Sequence, residues 1–254
     1  MLKENFASAD VFSDVRDIVR EFESGSDVPD LVHLLHRAAV RLGADAAFYV
    51  SVVRDAEVVS SIRSLFACDP LWGLIYEQLL LSDEDPWLRY ASRHSAPAAG
   101  SVIVARADEA AKAQELAREH GFRSSFIVPI HAGGASPTRR IARFGILVLG
   151  SDSVGFFERG QTTTLRMLAR SLALELHEAY GRLLRRERID SCALTVRELD
   201  LLDRDRLGQS TKAIARALGT SPLAIDQLFW RIGKKLGVKK RRACVRLAVE
   251  YCLM

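Results

Sequence analysis

Residues 194–248 read LTVRELDLLDRDRLGQSTKAIARALGTSPLAIDQLFWRIGKKLGVKKRRACVRLA. Three helix starts can be placed in this stretch from side-chain chemistry alone. Thr195 precedes an apolar-periodic run and has Glu198 three residues on, the reciprocal pairing of a capping box, while Leu199, Leu201 and Leu202 supply the apolar side of that helix. Gly208 ends it. Ser210 then caps TKAIARALG, in which Ile214, Ala215 and Leu218 share one stripe and Lys212 and Arg216 point outward. Gly219, Thr220 and Ser221 form a turn, and Ser221 caps a third helix with Pro222 at its first position, where a missing N–H costs nothing. Short helices joined by a tight turn and followed by cations are the pattern of a helix-turn-helix reader of DNA.

The third helix assigns roles by periodicity. Ile225, Leu228, Phe229 and Ile232 face a core, which leaves Ala224, Gln227, Arg231, Lys234 and Lys235 outward. In such a motif the early exposed residues of the second helix meet base edges and the later cations meet phosphates. The expected DNA contacts are therefore Lys212, Thr220, Ser221, Leu223, Ala224, Gln227, Arg231, Lys234 and Lys235, with Lys239, Lys240 and Arg241 as further phosphate anchors. Gln227 is the candidate base reader, since its amide can pair with adenine through two hydrogen bonds. Asp226 beside this face would repel phosphate at close range.

Charge follows the same division. Residues 189–254 hold 13 Lys and Arg against 7 Asp and Glu, a net +6, whereas residues 1–188 hold 23 against 25, a net −2, in a chain of +4. A polyanion partner suits the tail, and something else suits the remainder. The opening mixes charges into every turn without a signal-peptide run, and no later stretch is apolar enough to span a bilayer, so the expected location is the cytosol, away from any membrane. Cys68, Cys192, Cys244 and Cys252 form no CxxC pair and have no histidine at metal-ligand spacing, so no metal site or disulfide framework is expected. The six histidines are scattered, and no nucleophile elbow or phosphate loop occurs, so the chain does not read as an enzyme and calls for no cofactor.

Upstream, residues 8–23 and 27–42 show helical spacing, the second helix with Asp27 as N-cap and Gly43 as stop. Strand-like runs follow at 46–53 and 58–66, then a helix, break and helix over 69–94, then short strands at 101–105, 125–131 and 141–150 with a helix at 110–120 between the first two. Residues 158–188 continue as a long helix with Leu165, Leu168, Leu172, Leu176, Ala179 and Leu183 on one stripe, a cover for the sheet or a dimer surface. The expected fold is α+β: an N-terminal α/β/α sandwich, a five-stranded sheet with helices on both faces, over residues 1–184, a linker at 185–193, and a small all-α helix-turn-helix domain at 194–254. A sandwich of this kind can hold a small molecule between sheet and helices.

The frame LTxRE, GxSxKxIAxxLGxS and KKLGV, followed by Ala243, resembles the DNA-binding domain of the LuxR family of bacterial transcription regulators. The family usually has Thr at the position of Ala224 and His or a similar residue at Leu228, and does not usually carry the DRDR run that holds Arg204 and Arg206. The N-terminal part resembles the quorum-sensing branch, which binds N-acyl homoserine lactones: Trp72, Tyr76 and Asp85-Pro86 stand at that branch's spacings, as do Ala117, Gly121, Phe122 and Val128-Pro129-Ile130. The resemblance implies that Asp85 accepts the ligand's amide N–H, Trp72 donates to the lactone carbonyl and Tyr76 packs on the acyl part. Without a ligand a buried Asp85 would be costly. The residues alone leave a plainer alternative, in which Trp72 and Tyr76 are core aromatics and Asp85 caps a helix starting at Pro86.

Three positions depart from the branch. Gly100 replaces its third aromatic, Ser125 replaces a glycine, and Cys68 replaces a ligand-contacting Tyr, with Trp87 the candidate to refill the aromatic volume. Cys68, Trp72, Tyr76, Asp85, Pro86, Trp87 and Ser125 thus make the expected ligand site. The resemblance implies a homodimer on a palindromic double-stranded operator, with contact to RNA polymerase possible and an acylated signal as effector. The alternative is a ligand-independent regulator, or an anti-activator that forms a heterodimer with a related regulator.

Overall fold

The computed structural model describes residues 9–25, 27–55, 58–80, 85–103, 108–131, 141–159 and 163–253. They gather into two compact units, one from the described residues of Met1–Ser51, Ile62–Ala132 and Phe144–Tyr180, the other from those of Val52–Ser61, Gly133–Arg143 and Gly181–Met254.

The first unit holds most of a five-stranded sheet. Its strands are β1 (Ala46–Asp55), β2 (Val58–Ala67), β3 (Ala98–Ala99), β4 (Ser124–Ile130) and β5 (Ile141–Ser151), in the order β2-β1-β5-β4-β3. β4 runs antiparallel to β5 from Ser124↔Ser151 to Ile130↔Gly145, and β3 pairs with β4 through Ala98↔Ile127. Only two residues separate β1 from β2, too few for a parallel crossover. Every residue of β4 is buried, so both faces of the sheet are covered there.

The helices are α1 (Ala9–Ser24), α2 (Val28–Arg41), α3 (Pro70–Ile75), α4 (Pro86–Ala91), α5 (Asp108–Glu119), α6 (Phe156–Arg159) and α7 (Thr163–Cys192). Asp27 caps α2 by accepting from the Asp30 N–H at 2.9 Å. Neighbouring strand residues point to opposite faces, and β1 shows what covers each. Tyr49 meets α7, its hydroxyl 2.6 Å from Nδ1 of His177 and its ring 5.7 Å from Tyr180. Phe48 faces the other way, onto Tyr76 at the end of α3 and Trp87 on α4. This is the expected α+β arrangement of sheet and covering helices.

One expectation is corrected. The third strand lies at Ala98–Ala99, and the start of the strand expected at 101–105 falls in the 3-10 helix Gly100–Val102, residues 104 and 105 lying outside the described residues. A Cβ on Gly100 would lie 2.0 Å from the Ser125 hydroxyl, so the chain crosses too closely there for a longer ladder. The stretch expected as linker continues α7 as helix to Cys192, as its run of Leu, Arg and Glu favours. The stripe from Leu165 to Ala179 is buried, and Leu183 is half-buried.

The second unit holds α8 (Val196–Arg206), α9 (Thr211–Ala217), α10 (Pro222–Leu236) and α11 (Arg241–Glu250). All three sequence-read caps form: the Thr195–Glu198 capping box, the Ser210 hydroxyl accepting from Ala213 N–H, and the Ser221 hydroxyl accepting from Ala224 N–H. Leu201, Leu202, Ile214, Ile225, Phe229 and Ile232 are buried in one core with α11, and Leu228 packs at its edge.

Candidate functional site

The candidate ligand site lies on the Phe48 face of the sheet. Asp69 caps α3 by accepting from the Leu71 N–H at 2.9 Å, with Pro70 in the first turn, and this helix buries Trp72 completely. At Tyr76 the helix widens into a π-turn running to Leu80, a local irregularity often found where a side chain has a task. Phe48 stacks obliquely on Tyr76 at 4.7 Å and contacts Phe122 at 5.4 Å, and Trp72 contacts Tyr76 at 5.7 Å and Phe122 at 5.6 Å. Trp87 closes the ring, 6.5 Å from Tyr76 and 6.3 Å from Phe122. Phe122 can lie on the sheet because Gly150 has no side chain: a Cβ there would meet its ring at 2.4 Å.

Inside this apolar shell sits a polar core. Asp85, 3% exposed, caps α4 by accepting from the Trp87 N–H at 2.7 Å and the Leu88 N–H at 3.3 Å, and its other oxygen accepts from the Tyr76 hydroxyl. Burial lifts the Asp85 carboxyl to about 6, against the pull of the Tyr76 hydroxyl and the two N–H groups. The Tyr76 hydroxyl is held well above its ordinary range by burial and by the adjacent carboxylate, so it keeps its proton and donates. The indole N–H groups of Trp72 and Trp87, by contrast, are buried with no hydrogen-bond partner. An unmet buried donor costs about 1–3 kcal/mol, so two in one cluster need a reason.

Asp85 caps the helix starting at Pro86, as the plainer reading expects, and its carboxylate also accepts from the Tyr76 hydroxyl. The chain itself supplies Asp85 with three donors, which offset the cost of its burial only in part. Pro86 is buried at the first position of α4. Ser125 pairs across from Gly150, so its side chain shares the face on which Phe122 lies, against Gly100. Cys68 follows β2, and burial together with the Asp69 carboxylate pushes its thiol up to about 12, which removes any nucleophilic role. Sequence reading missed Phe48, Phe66 and His120. His120 stacks on Trp72 at 6.0 Å while its Nδ1 sits 2.9 Å from the second oxygen of Asp69. Only the GF pair beside it carried a signal.

The residues expected to meet DNA divide into two groups. Lys212, Leu223, Gln227, Arg231, Lys234, Lys239 and Lys240 are exposed, Ser221 is exposed and spent on its cap, and Thr220 and Ala224 are half-buried. Lys235 is engaged inside the unit, its ammonium 2.6 Å from the Glu198 carboxylate and 2.9 Å from the Ala193 carbonyl. Burial opposes the Glu198 charge, but Lys235 and the Thr195 N–H and hydroxyl more than offset it, holding the carboxyl below its usual range. Arg241 is likewise engaged, bonded to Asp205 and to the Thr211 hydroxyl and lying 4.1 Å over the Phe229 ring. The DRDR run is thereby accounted for: Arg204 pairs with Asp200, Arg206 with Asp203, and Asp205 with Arg241. Arg241 also stands 3.9 Å from Asp226. Trp230, absent from the sequence-read set, is 65% exposed on α10 with the Lys234 ammonium 5.2 Å from its ring centre.

No group of three His, Cys, Asp or Glu among the described residues could hold a metal ion, and no described helix is long and apolar enough to cross a membrane.

Comparison with protein-family models matches residues 27–180 to the autoinducer binding domain. Curated protein sequences give no match. Among solved structures, SdiA in complex with octanoyl-rac-glycerol is similar with a TM-score of 0.62 at 19% identity, over 95% of each chain. Escherichia coli SdiA gives 0.59 at 18% identity, over 95% of this chain and 98% of that one. CepR2 from Burkholderia cenocepacia, an N-acylhomoserine lactone dependent LuxR family transcription factor, gives 0.55 at 15% identity, over 69% of this chain and 99% of that one. At these identities the likeness is one of fold.

Proposed function

The chain belongs to the autoinducer-binding domain family, and from that premise we propose that it is a transcription regulator whose DNA binding is gated by a small acylated signal such as an N-acyl homoserine lactone. The observation that carries this reading is the unpartnered N–H of Trp72 beside the buried Tyr76–Asp85 pair. A neutral ligand with one carbonyl and one N–H satisfies the indole and gives Asp85 a donor, while its chain lies against Phe48, Phe122 and Trp87. A monoacylglycerol, the ligand named for the SdiA complex, offers the same pattern with a hydroxyl as donor.

On the output side, the caps at Ser210 and Ser221 and the exposed row Leu223, Gln227, Arg231 and Lys234 support a helix-turn-helix in which α10 enters the major groove. Met167 and Leu174, one heptad apart and both exposed on α7, support a subunit contact that would pair two such readers on a palindrome.

One observation favours a second reading, a ligand-independent regulator or an anti-activator pairing with a related protein: Asp85 finds three donors within the chain, so its carboxylate has partners when the site is empty. The experiment that separates them is production of the protein with and without N-acyl homoserine lactones and acylglycerols, extraction, and mass spectrometry of any bound molecule. A stoichiometric acylated ligand supports gating. Ligand-free protein that binds DNA at full affinity assigns the second reading.

A further inference from the structure

The outward face of α10 carries apolar area that its packing does not use. Trp230 is exposed, and two turns before it Leu223 is 68% exposed, while Ile225, Phe229, Ile232 and Leu236 of the same helix are buried. At about 100° per residue, Leu223, Gln227, Trp230 and Lys234 fall within a sector of about 60°, so these four exposed side chains form one row. A helix face meant only for water carries charged and polar groups, and an indole ring beside an exposed leucine keeps apolar surface in water at a cost.

Cations border the row. Arg231 lies next to Trp230, the Lys234 ammonium stands 5.2 Å from the ring centre, and Lys212, Lys239 and Lys240 are exposed in the same unit. Asp226, the acid at its edge, has Arg241 3.9 Å away. An apolar protein surface laid on this row would leave those cations without partners. The major groove of a DNA duplex offers phosphates along both rims and, among its base edges, one apolar group, the C5-methyl of thymine.

We propose that Trp230 is a specificity-determining residue whose ring packs on the C5-methyl of a thymine, so that it and Leu223 read thymine methyls beside the adenine paired to Gln227 while Lys234 reaches the adjoining phosphate. This rests on the reading of α10 as the DNA-contacting helix. The partner it selects is a duplex whose half-site carries A·T pairs where α10 meets the base edges.

The test uses the full chain, with and without N-octanoyl homoserine lactone, on a duplex selected from random sequence by the unmodified protein. Each thymine of the half-site is replaced in turn by deoxyuridine, which keeps the pairing edge and lacks the methyl. At the thymine under Trp230 the unmodified protein loses about 3- to 5-fold in affinity, the worth of one buried methyl. Trp230→Ala binds the thymine duplex more weakly by at least that factor and no longer distinguishes deoxyuridine at that position. Its salt slope is unchanged, because no charge is removed. Trp230→Phe, which keeps a ring and removes the N–H, retains the deoxyuridine effect. Three results overturn the proposal: a deoxyuridine loss equal in Trp230→Ala and the unmodified protein at every position, a Trp230→Phe that behaves as Trp230→Ala, which assigns the indole N–H to a base acceptor, and unaltered DNA affinity in Trp230→Ala, which leaves the ring to a protein partner. If the unmodified protein selects no duplex with or without the lactone, the DNA-contacting reading of α10 itself falls, an outcome distinct from binding that ignores the methyls.

Discussion

At the scale of single residues, Asp85 has two protonation states with different consequences. Burial raises its carboxyl from 3.8 to about 6, because three hydrogen bonds and the charge of Arg89 only partly compensate for lost hydration. A folded-state value above the unfolded one means that Asp85 favours the fold fully below 3.8, and that this share of stability is lost as pH rises to about 6. Ligand binding runs the other way, since the carboxylate present above about 6 is the better acceptor for a ligand N–H. Signal affinity is therefore expected to fall as pH drops through about 6, approaching tenfold per pH unit below it, while Asp85→Asn shows a flat profile. Titrations between pH 5 and pH 8, with denaturant unfolding alongside, check both; superimposable profiles for the two proteins would remove Asp85 from ligand recognition.

At the scale of elements, periodicity and caps were legible and long-range pairing was not. The Thr195, Ser210 and Ser221 caps and the buried stripes of α7 and α10 act within a few residues of chain, where sequence spacing fixes geometry. Strand β3 is two residues long and exists only because β4 lies beside it, so no local pattern could announce it. The candidate site was legible in Trp72, Tyr76 and Asp85 as types at a spacing, but the Tyr76–Asp85 bond, the His120 stack and the Gly100–Ser125 approach join separate elements. Lys235 shows the same limit: its place on α10 reads as outward, yet its ammonium turns to Glu198. Lys235→Ala, which strands a buried carboxylate, is expected to destabilise the second unit by about 1–3 kcal/mol. Lys234→Ala and Lys239→Ala should stay within about 0.5 kcal/mol in stability while lowering the salt slope of DNA binding by about 0.9 each. Thermal unfolding and binding isotherms at several salt concentrations measure both quantities, and a Lys235→Ala protein of unchanged stability with reduced salt slope would return that residue to the phosphate-contacting set.

At the scale of the whole molecule, the acidic N-terminal part and the basic C-terminal part behave as a regulator only if their ligands are coupled. A signal that binds equally well to DNA-free and DNA-bound protein shifts nothing, however tightly it binds. Gating requires a differential affinity, and thermodynamic linkage makes that differential reciprocal: if the signal raises operator affinity by some factor, the operator raises signal affinity by the same factor. Coupling of about 1–3 kcal/mol corresponds to roughly 5- to 150-fold. The measurement is the signal's Kd with and without a saturating duplex, recovered by selection from random sequence with the full chain. The expected result is a signal Kd lowered by the same factor by which the signal lowers the Kd for the duplex. A tightly bound signal whose affinity is indifferent to the duplex would make the ligand a folding aid rather than a switch. Failure to bind any signal, with full affinity for the duplex, would leave the ligand-independent regulator as the function of this chain.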